Sequence, residues 1–171
     1  MSMLKVGLNR IIAITLLSLL SSVAFAQNYQ LHTVYIYSFI RYIQWPDDNG
    51  DFVIGVLGDS PIIDHLNKMA ASKKAGARNI VVRKFNGPAD VTATHILFIP
   101  NSSSEMLGQI KAKSAANHTL LITEKEGMGM EGSAINFVER NSKLAFELNR
   151  SSVDDAGLKV SSELTRLAII I

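Results

Sequence analysis

At 171 residues, with 17 Lys and Arg against 15 Asp and Glu, the chain has the length of one domain and a formal charge of +2. It contains no cysteine, which excludes disulfides, thiolate metal sites and a cysteine nucleophile and leaves stability to an apolar core. Losing Lys5 and Arg10 with a leader would leave 15 charges of each sign, so the alkaline pI gives no electrostatic footprint for nucleic acid.

The first ten residues carry Lys5 and Arg10 and no acid, Ile11–Val23 is almost wholly apolar, and Ala24-Phe25-Ala26 has the small-x-small cleavage pattern. That thirteen-residue run falls short of the roughly 20 residues that a membrane-spanning helix needs. Residues 1–26 therefore read as a secretion signal cleaved near Ala26. Residues 27–171 read as a single exported domain with no span of its own. Tyr29–Pro46 follows with all four tyrosines and the only tryptophan. Aromatics concentrate in cores and in interfaces, so this segment is either the helix the domain packs around or a surface another molecule covers. Leu31, Tyr35, Ser38, Phe39, Tyr42 and Trp45 form one stripe and Ile36, Ile40 and Ile43 another, too wide for one sheet contact. Phe39, Tyr42 and Trp45 are expected in the core, the leftover face around Tyr37 and Arg41 is the candidate partner surface, and Pro46 ends the helix.

Phe52–Leu57 and His95–Ile99 are continuous apolar runs of strand length, as in a mostly parallel sheet covered on both faces, and Asn79–Phe85 and Thr119–Thr123 fit beside them. Between them, Ser60-Pro61 starts a helix with Ile62, Leu66 and Met69 as its stripe. Ser102 and Glu105 have capping-box spacing before Met106, Leu107 and Ile110. Ala134–Glu139 and Lys143–Leu148 alternate and are joined by Arg140-Asn141-Ser142, which predicts an antiparallel hairpin. Helix follows over Ser151–Ala156 and, after a break at Gly157, over Ser161–Ile170 with Leu164, Leu167 and Ala168 on one face. The predicted architecture is a three-layer α/β/α sandwich: a mostly parallel sheet of about six strands, a C-terminal antiparallel hairpin and a terminal helix.

Chemistry-bearing motifs are sparse. Gly127-Met128-Gly129-Met130-Glu131-Gly132 matches a dinucleotide fingerprint in letters, but a strand follows it where the motif needs a helix N-terminus, so it reads as a turn. His32, His65, His95 and His118 fall on four elements without ligand spacing; His95 is expected at a buried strand and the other three in solvent. Asp59 and Asp64 follow the first strand, yet suit a turn and an early helix position. No catalytic residue, cofactor site or metal site is assigned. Gly58, Asp59 and Pro61, at the strand end where open α/β sheets bind ligands, are the candidate small-molecule pocket. Asn149 reads as a helix cap beside Asn136 and Glu147 on the hairpin.

Five blocks in order, Tyr42-Ile43-Gln44-Trp45-Pro46, Val56-Leu57-Gly58-Asp59-Ser60-Pro61, Ile135-Asn136-Phe137-Val138, Phe146-Glu147-Leu148-Asn149 and the stretch from Ala156 to Leu164, resemble the YfiR family across the whole mature chain. The resemblance implies a periplasmic regulator that binds the sensor region of a membrane diguanylate cyclase and holds it inactive, restraining cyclic di-GMP and biofilm. A sensory protein that binds a small molecule without a cyclase partner is the alternative. Ser38 stands where asparagine is common in the family, and the cysteine pairs that make some members redox-responsive are absent, so that response is not expected. The resemblance also implies self-association as a homodimer, and the tail Ile169-Ile170-Ile171, being apolar, is expected to be buried.

Overall fold

The computed structural model describes residues 29–46 and 49–171, so the leader expected over residues 1–26 lies outside the described residues. Helix α1 covers residues 29–42, and a two-residue strand β1 (Ile43–Gln44) precedes Pro46. The helix stops short of the proline because Ile43 and Gln44 pair antiparallel with β9 (Lys159–Val160), while the Trp45 indole N–H donates to the His95 carbonyl at 3.0 Å. The main sheet has eight strands where about six were expected. In spatial order these are β10 (Ile169–Ile170), β8 (Lys143–Leu148), β7 (Ile135–Arg140), β6 (Leu120–Thr123), β5 (Ile96–Ile99), β2 (Phe52–Leu57), β4 (Arg78–Phe85) and β3 (Lys74–Ala75). The two additions are the short edge strands β3 and β10. All pairs are parallel except β7 with β8 and β3 with β4.

Chain order and strand order together dictate the layers. From β2 the chain passes through α2 (Ile62–Ser72) to β4 on one side, then returns to β5 on the other side of β2 and runs on through α3 (Leu107–Ala116) to β6. Parallel crossovers are right-handed, so reversing the direction of travel puts α2 and α3 on opposite faces of the sheet. Side chains confirm it. Phe52, Ile54 and Val56 of β2, with Ile96 and Phe98 of β5, share a core with α1 and α2, whereas Leu57, Leu97, Ile99 and Leu121 pack with Leu107 and Ile110 of α3. A strand buried on both faces needs no polar alternation, and β2 has none.

Local signals account for the connections. Asn141 and Ser142 both have positive φ, +53° and +57°, forming the two-residue turn that matches strand twist between Arg140 and its partner Lys143. Gly157, at φ +68°, ends α4 (Arg150–Asp155), whose cap Asn149 accepts the Ser152 N–H at 3.0 Å. Two sequence expectations are corrected. The capping box at Ser102 and Glu105 does not form: a 3-10 turn covers Asn101–Met106, its first amide bonds Glu124, and no side chain caps it. The terminal helix α5 covers only Ser162–Leu167. Ala168 is extended and the tail pairs with Glu147 and Leu148, leaving Ile169 and Ile170 partly exposed at the sheet edge.

Gly55 on β2 sets how closely the α3 side of the sheet packs. A Cβ there would lie 2.7 Å from the Phe85 ring and 2.9 Å from Leu97 Cδ1, both inside the core. Gly55→Ala is expected to cost about 1–3 kcal/mol by overpacking. The urea midpoint should fall with an unchanged slope; an unaltered midpoint would show that the ring and the leucine give way freely.

Candidate functional site

Aromatic packing orients α1. Phe39 is fully buried, with its ring centroid 5.1 Å from Phe146 and 6.0 Å from Phe137, and Ile36 and Ile40 lie beside it. Tyr42 and Trp45 are half-buried against the same core, Trp45 edge-on to Phe52 at 5.0 Å. Leu31, read into the buried stripe, is 51% exposed, and Val34 is 59% exposed, because the helix turns its Ile36–Phe39–Ile40 face to the sheet.

The opposite face borders a groove of about 680 Å³ between α1 and α2. Tyr37 and Arg41 line it, Tyr37 half-buried and Arg41 exposed, together with Val34, Met69, Lys68 and Lys73. The Lys73 ammonium stands 5.8 Å from the Tyr37 ring centroid, and the Arg41 guanidinium 5.6 Å from that of Tyr42. At exposed sites each such contact is worth about 0.5–1 kcal/mol, enough to bias a side chain toward one orientation.

A second concavity, of about 400 Å³, lies at the carboxyl ends of β2 and β5. These are the two strands between which the direction of travel reverses, the position where open α/β sheets leave a crevice. Asp59 and Pro61 line it beside Pro100, Asn101, Tyr29 and Glu124. Gly58 makes the turn beneath them with φ +79°, and a Cβ there would come within 2.8 Å of Ser103 Oγ. Asp59 pairs with Lys84 in solvent, and Asp64 is exposed on α2, so the two do not form an acid-base pair.

Glu124 is the feature sequence reading passed over. It follows β6 directly, and its Oε1 accepts from the Tyr29 hydroxyl at 3.1 Å and from the Asn101 N–H at 3.0 Å. Burial pushes its carboxyl above the usual carboxylate range, against the lowering pull of those two donors. Burial, and secondarily the charge of Glu124, raises the Tyr29 phenol as well. His32 is buried rather than solvated, 4.2 Å from the Phe137 ring centroid and with Nε2 3.9 Å from Glu124. His65 is half-buried in the wall of the α1–α2 groove, and His118 is half-buried with Nδ1 2.8 Å from the Ala156 carbonyl. His95, as expected, sits at the sheet, where its Nδ1 accepts the Val53 N–H at 3.0 Å.

The polar hairpin residues form a connected structural chain. Thr123 Oγ1 donates to Asn136 Oδ1 at 2.8 Å, Asn136 Nδ2 to Glu147 at 3.0 Å, and Arg140 to the other Glu147 oxygen at 3.2 Å. A fully buried asparagine is thereby satisfied. The Gly127–Gly132 segment is a turn before β7, held by Asn149 Nδ2 donating to the Gly129 carbonyl at 2.9 Å. Among the described residues there is no three-ligand metal cluster, and no helix is long and apolar enough to cross a membrane.

Fold and sites together define a three-layer α/β domain with a cationic groove on one helix face and a crevice at its switch point. The chain belongs to the YfiR/HmsC-like family, whose model matches residues 29–169. No curated protein matches it. A crystal structure of a conserved domain protein from Vibrio cholerae O1 biovar El Tor is similar at TM-score 0.55 and 10% identity, covering 83% of this chain and 59% of that one. That likeness supports the fold alone.

The raised Glu124 carboxyl has a sign that can be checked. The folded state keeps this proton to higher pH than the unfolded chain, so stability is intact at low pH and declines as pH rises through the folded-state value. Glu124→Gln keeps an acceptor for Asn101 and removes the charge. Denaturation from the ordinary glutamate range, about 4.3, upward should show the variant gaining on the parent chain. Parallel curves would show that Glu124 titrates as an ordinary carboxyl.

Proposed function

We propose that the chain is a periplasmic regulator, exported with cleavage near Ala26, whose single domain over residues 27–171 binds the sensor region of an inner-membrane diguanylate cyclase and holds it inactive. The observation that carries this reading is membership of the YfiR/HmsC-like family over almost the whole described chain. The uncovered α1 face at Tyr37 and Arg41 supplies a surface for the partner. The reading assigns no reaction to the chain. Self-association belongs to the same proposal and is read by light scattering of the mature protein.

A second reading, binding of a small molecule, is favoured by the crevice at the strand-order reversal, which Asp59 and Pro61 line and which Gly58 underlies. A ligand at 100 times its dissociation constant would stabilise the protein by about 2.7 kcal/mol. Thermal-shift screening that finds no such compound counts against this reading alone.

Deleting the gene is expected to raise cyclic di-GMP in the cell, and unchanged levels would sink the regulator reading. Tyr37→Glu should fold normally by circular dichroism and fail to restore the low level, since its half-buried side chain borders the open groove with the exposed Lys73 ammonium 5.8 Å from its ring. Trp45→Glu should unfold the domain, because it removes the indole N–H bond to His95 and places a charge against Phe52. The reverse pattern would move the docking surface away from α1.

A further inference from the structure

The α1–α2 groove carries a charge pattern that specifies what can lie in it. Arg41, Lys68 and Lys73 line it, no carboxylate does, and none of the three is ion-paired among the described residues. The chain expected after leader cleavage has equal numbers of acids and bases, so three cations in one groove are a local concentration, not a reflection of overall charge. Val34, Tyr37 and Met69 supply an apolar strip between them, with Met69 buried at the floor and Val34 on the rim.

The shape favours a rod over a plane. From Gln30 to Arg41 the α1 wall runs about 16 Å, and from His65 to Ser72 the α2 wall about 11 Å, at 1.5 Å per residue. That length fits two to three helical turns of a partner. Lys73 is drawn onto the Tyr37 ring at the groove wall, which sets its ammonium beside the cleft, while Arg41 lines the groove and rests on the adjoining Tyr42 ring, which does not. A flat bilayer would meet Val34 on the rim and leave Met69 unreached.

We propose that this groove docks an acidic amphipathic segment of a partner protein, with carboxylates against Arg41, Lys68 and Lys73 and apolar side chains at three- and four-residue spacing on Val34, Tyr37 and Met69. The proposal rests on the regulator reading for the existence of a partner, and adds the chemistry by which that partner is recognised. Complementary charge of this kind acts chiefly on encounter rate and specificity, so docking weakens as salt rises.

The test uses the full chain in the cells that express it. A photo-crosslinking benzoylphenylalanine replaces Ser72 in the groove, and in a second strain replaces Ala112 on α3 at the far face. The Ser72 probe is expected to form adducts on a segment that is net negative and carries apolar residues at helical spacing, and the Ala112 probe is not. Lys68→Glu with Lys73→Glu, both on exposed side chains so that folding is retained by circular dichroism, should cut the Ser72 adduct about tenfold, the effect of about 1.4 kcal/mol. Lysines placed at the acids of the captured segment should restore it. Adducts on a neutral or basic segment, adducts insensitive to the charge reversal, or co-sedimentation of the purified protein with phosphatidylglycerol vesicles but not phosphatidylcholine vesicles would overturn the proposal. Cyclic di-GMP measured in the same strains separates the two readings. A charge-reversed chain that represses as well as its parent overturns the groove and leaves the regulator standing. Deletion without effect on cyclic di-GMP sinks the regulator, while the crosslink still decides the groove.

Discussion

Phe39 ties α1 to the C-terminal hairpin. Its ring lies 5.1 Å from Phe146 and 6.0 Å from Phe137, and Tyr35 stands 5.6 Å from Phe146 on the same side. Each aromatic pair is worth about 0.5–1.5 kcal/mol beyond the area it buries, so the set fixes the rotation of α1 about its own axis. That rotation decides much else. It turns Val34, Tyr37 and Arg41 away from the sheet, carries Tyr29 over the carboxyl ends of β2 and β5, and delivers Ile43 to β9. Loosening Phe39 would disturb the groove, the crevice and the small two-stranded sheet together.

The crevice is a consequence of topology, and α1 caps it. Reversal of strand order between β2 and β5 sends α2 and α3 to opposite faces, so neither helix covers the strand ends between them. Tyr29 and Glu124 stand in that space, bonded at 3.1 Å, and the Asn101 amide that opens the next 3-10 turn is satisfied by Glu124 instead of a ligand. The two ends of one helix therefore take part in two features: the N-terminal Tyr29 in the crevice, and Tyr37 and Arg41 in the groove.

What could be read in advance followed from local pattern. Phe52–Leu57 and His95–Ile99 are legible as strands because a strand covered on both faces has no polar positions, the observed β5 beginning one residue later at Ile96, and Asn141-Ser142 lies in the short polar link that closes a hairpin. The C-terminal segment misleads for a local reason as well. Leu164, Leu167 and Ala168 have helical spacing, yet only Leu164 is buried, and the β-branched run Ile169-Ile170-Ile171 is better satisfied beside Glu147 and Leu148. Tyr37 and Arg41 were legible as the face left over once Phe39 was placed inward. Lys68 and Lys73 were not, since only the packing of α2 beside α1 brings them across from Arg41. Glu124 escaped notice because its partner Tyr29 is 95 residues away, and His32 because a helix face rich in aromatics hides which polar residue goes inward.

The energetics of α1 separate what folding requires from what it does not. Its inward face needs Ile36, Phe39 and Ile40, and fully burying each contributes about 1.5–3 kcal/mol. The outward face makes no such demand: a polar residue at Val34 would cost the core nothing, since that side chain is 59% exposed, and helix propensity would favour lysine or glutamate over valine there. Arg41 and Lys73 rest on tyrosine rings for about 0.5–1 kcal/mol each, which orients them without neutralising them. An apolar rim and oriented cations with no ion pair among the described residues add little to the isolated fold. They gain value when an acidic, partly apolar surface covers them, because desolvation then strengthens each charge contact while the valine loses its exposure to water.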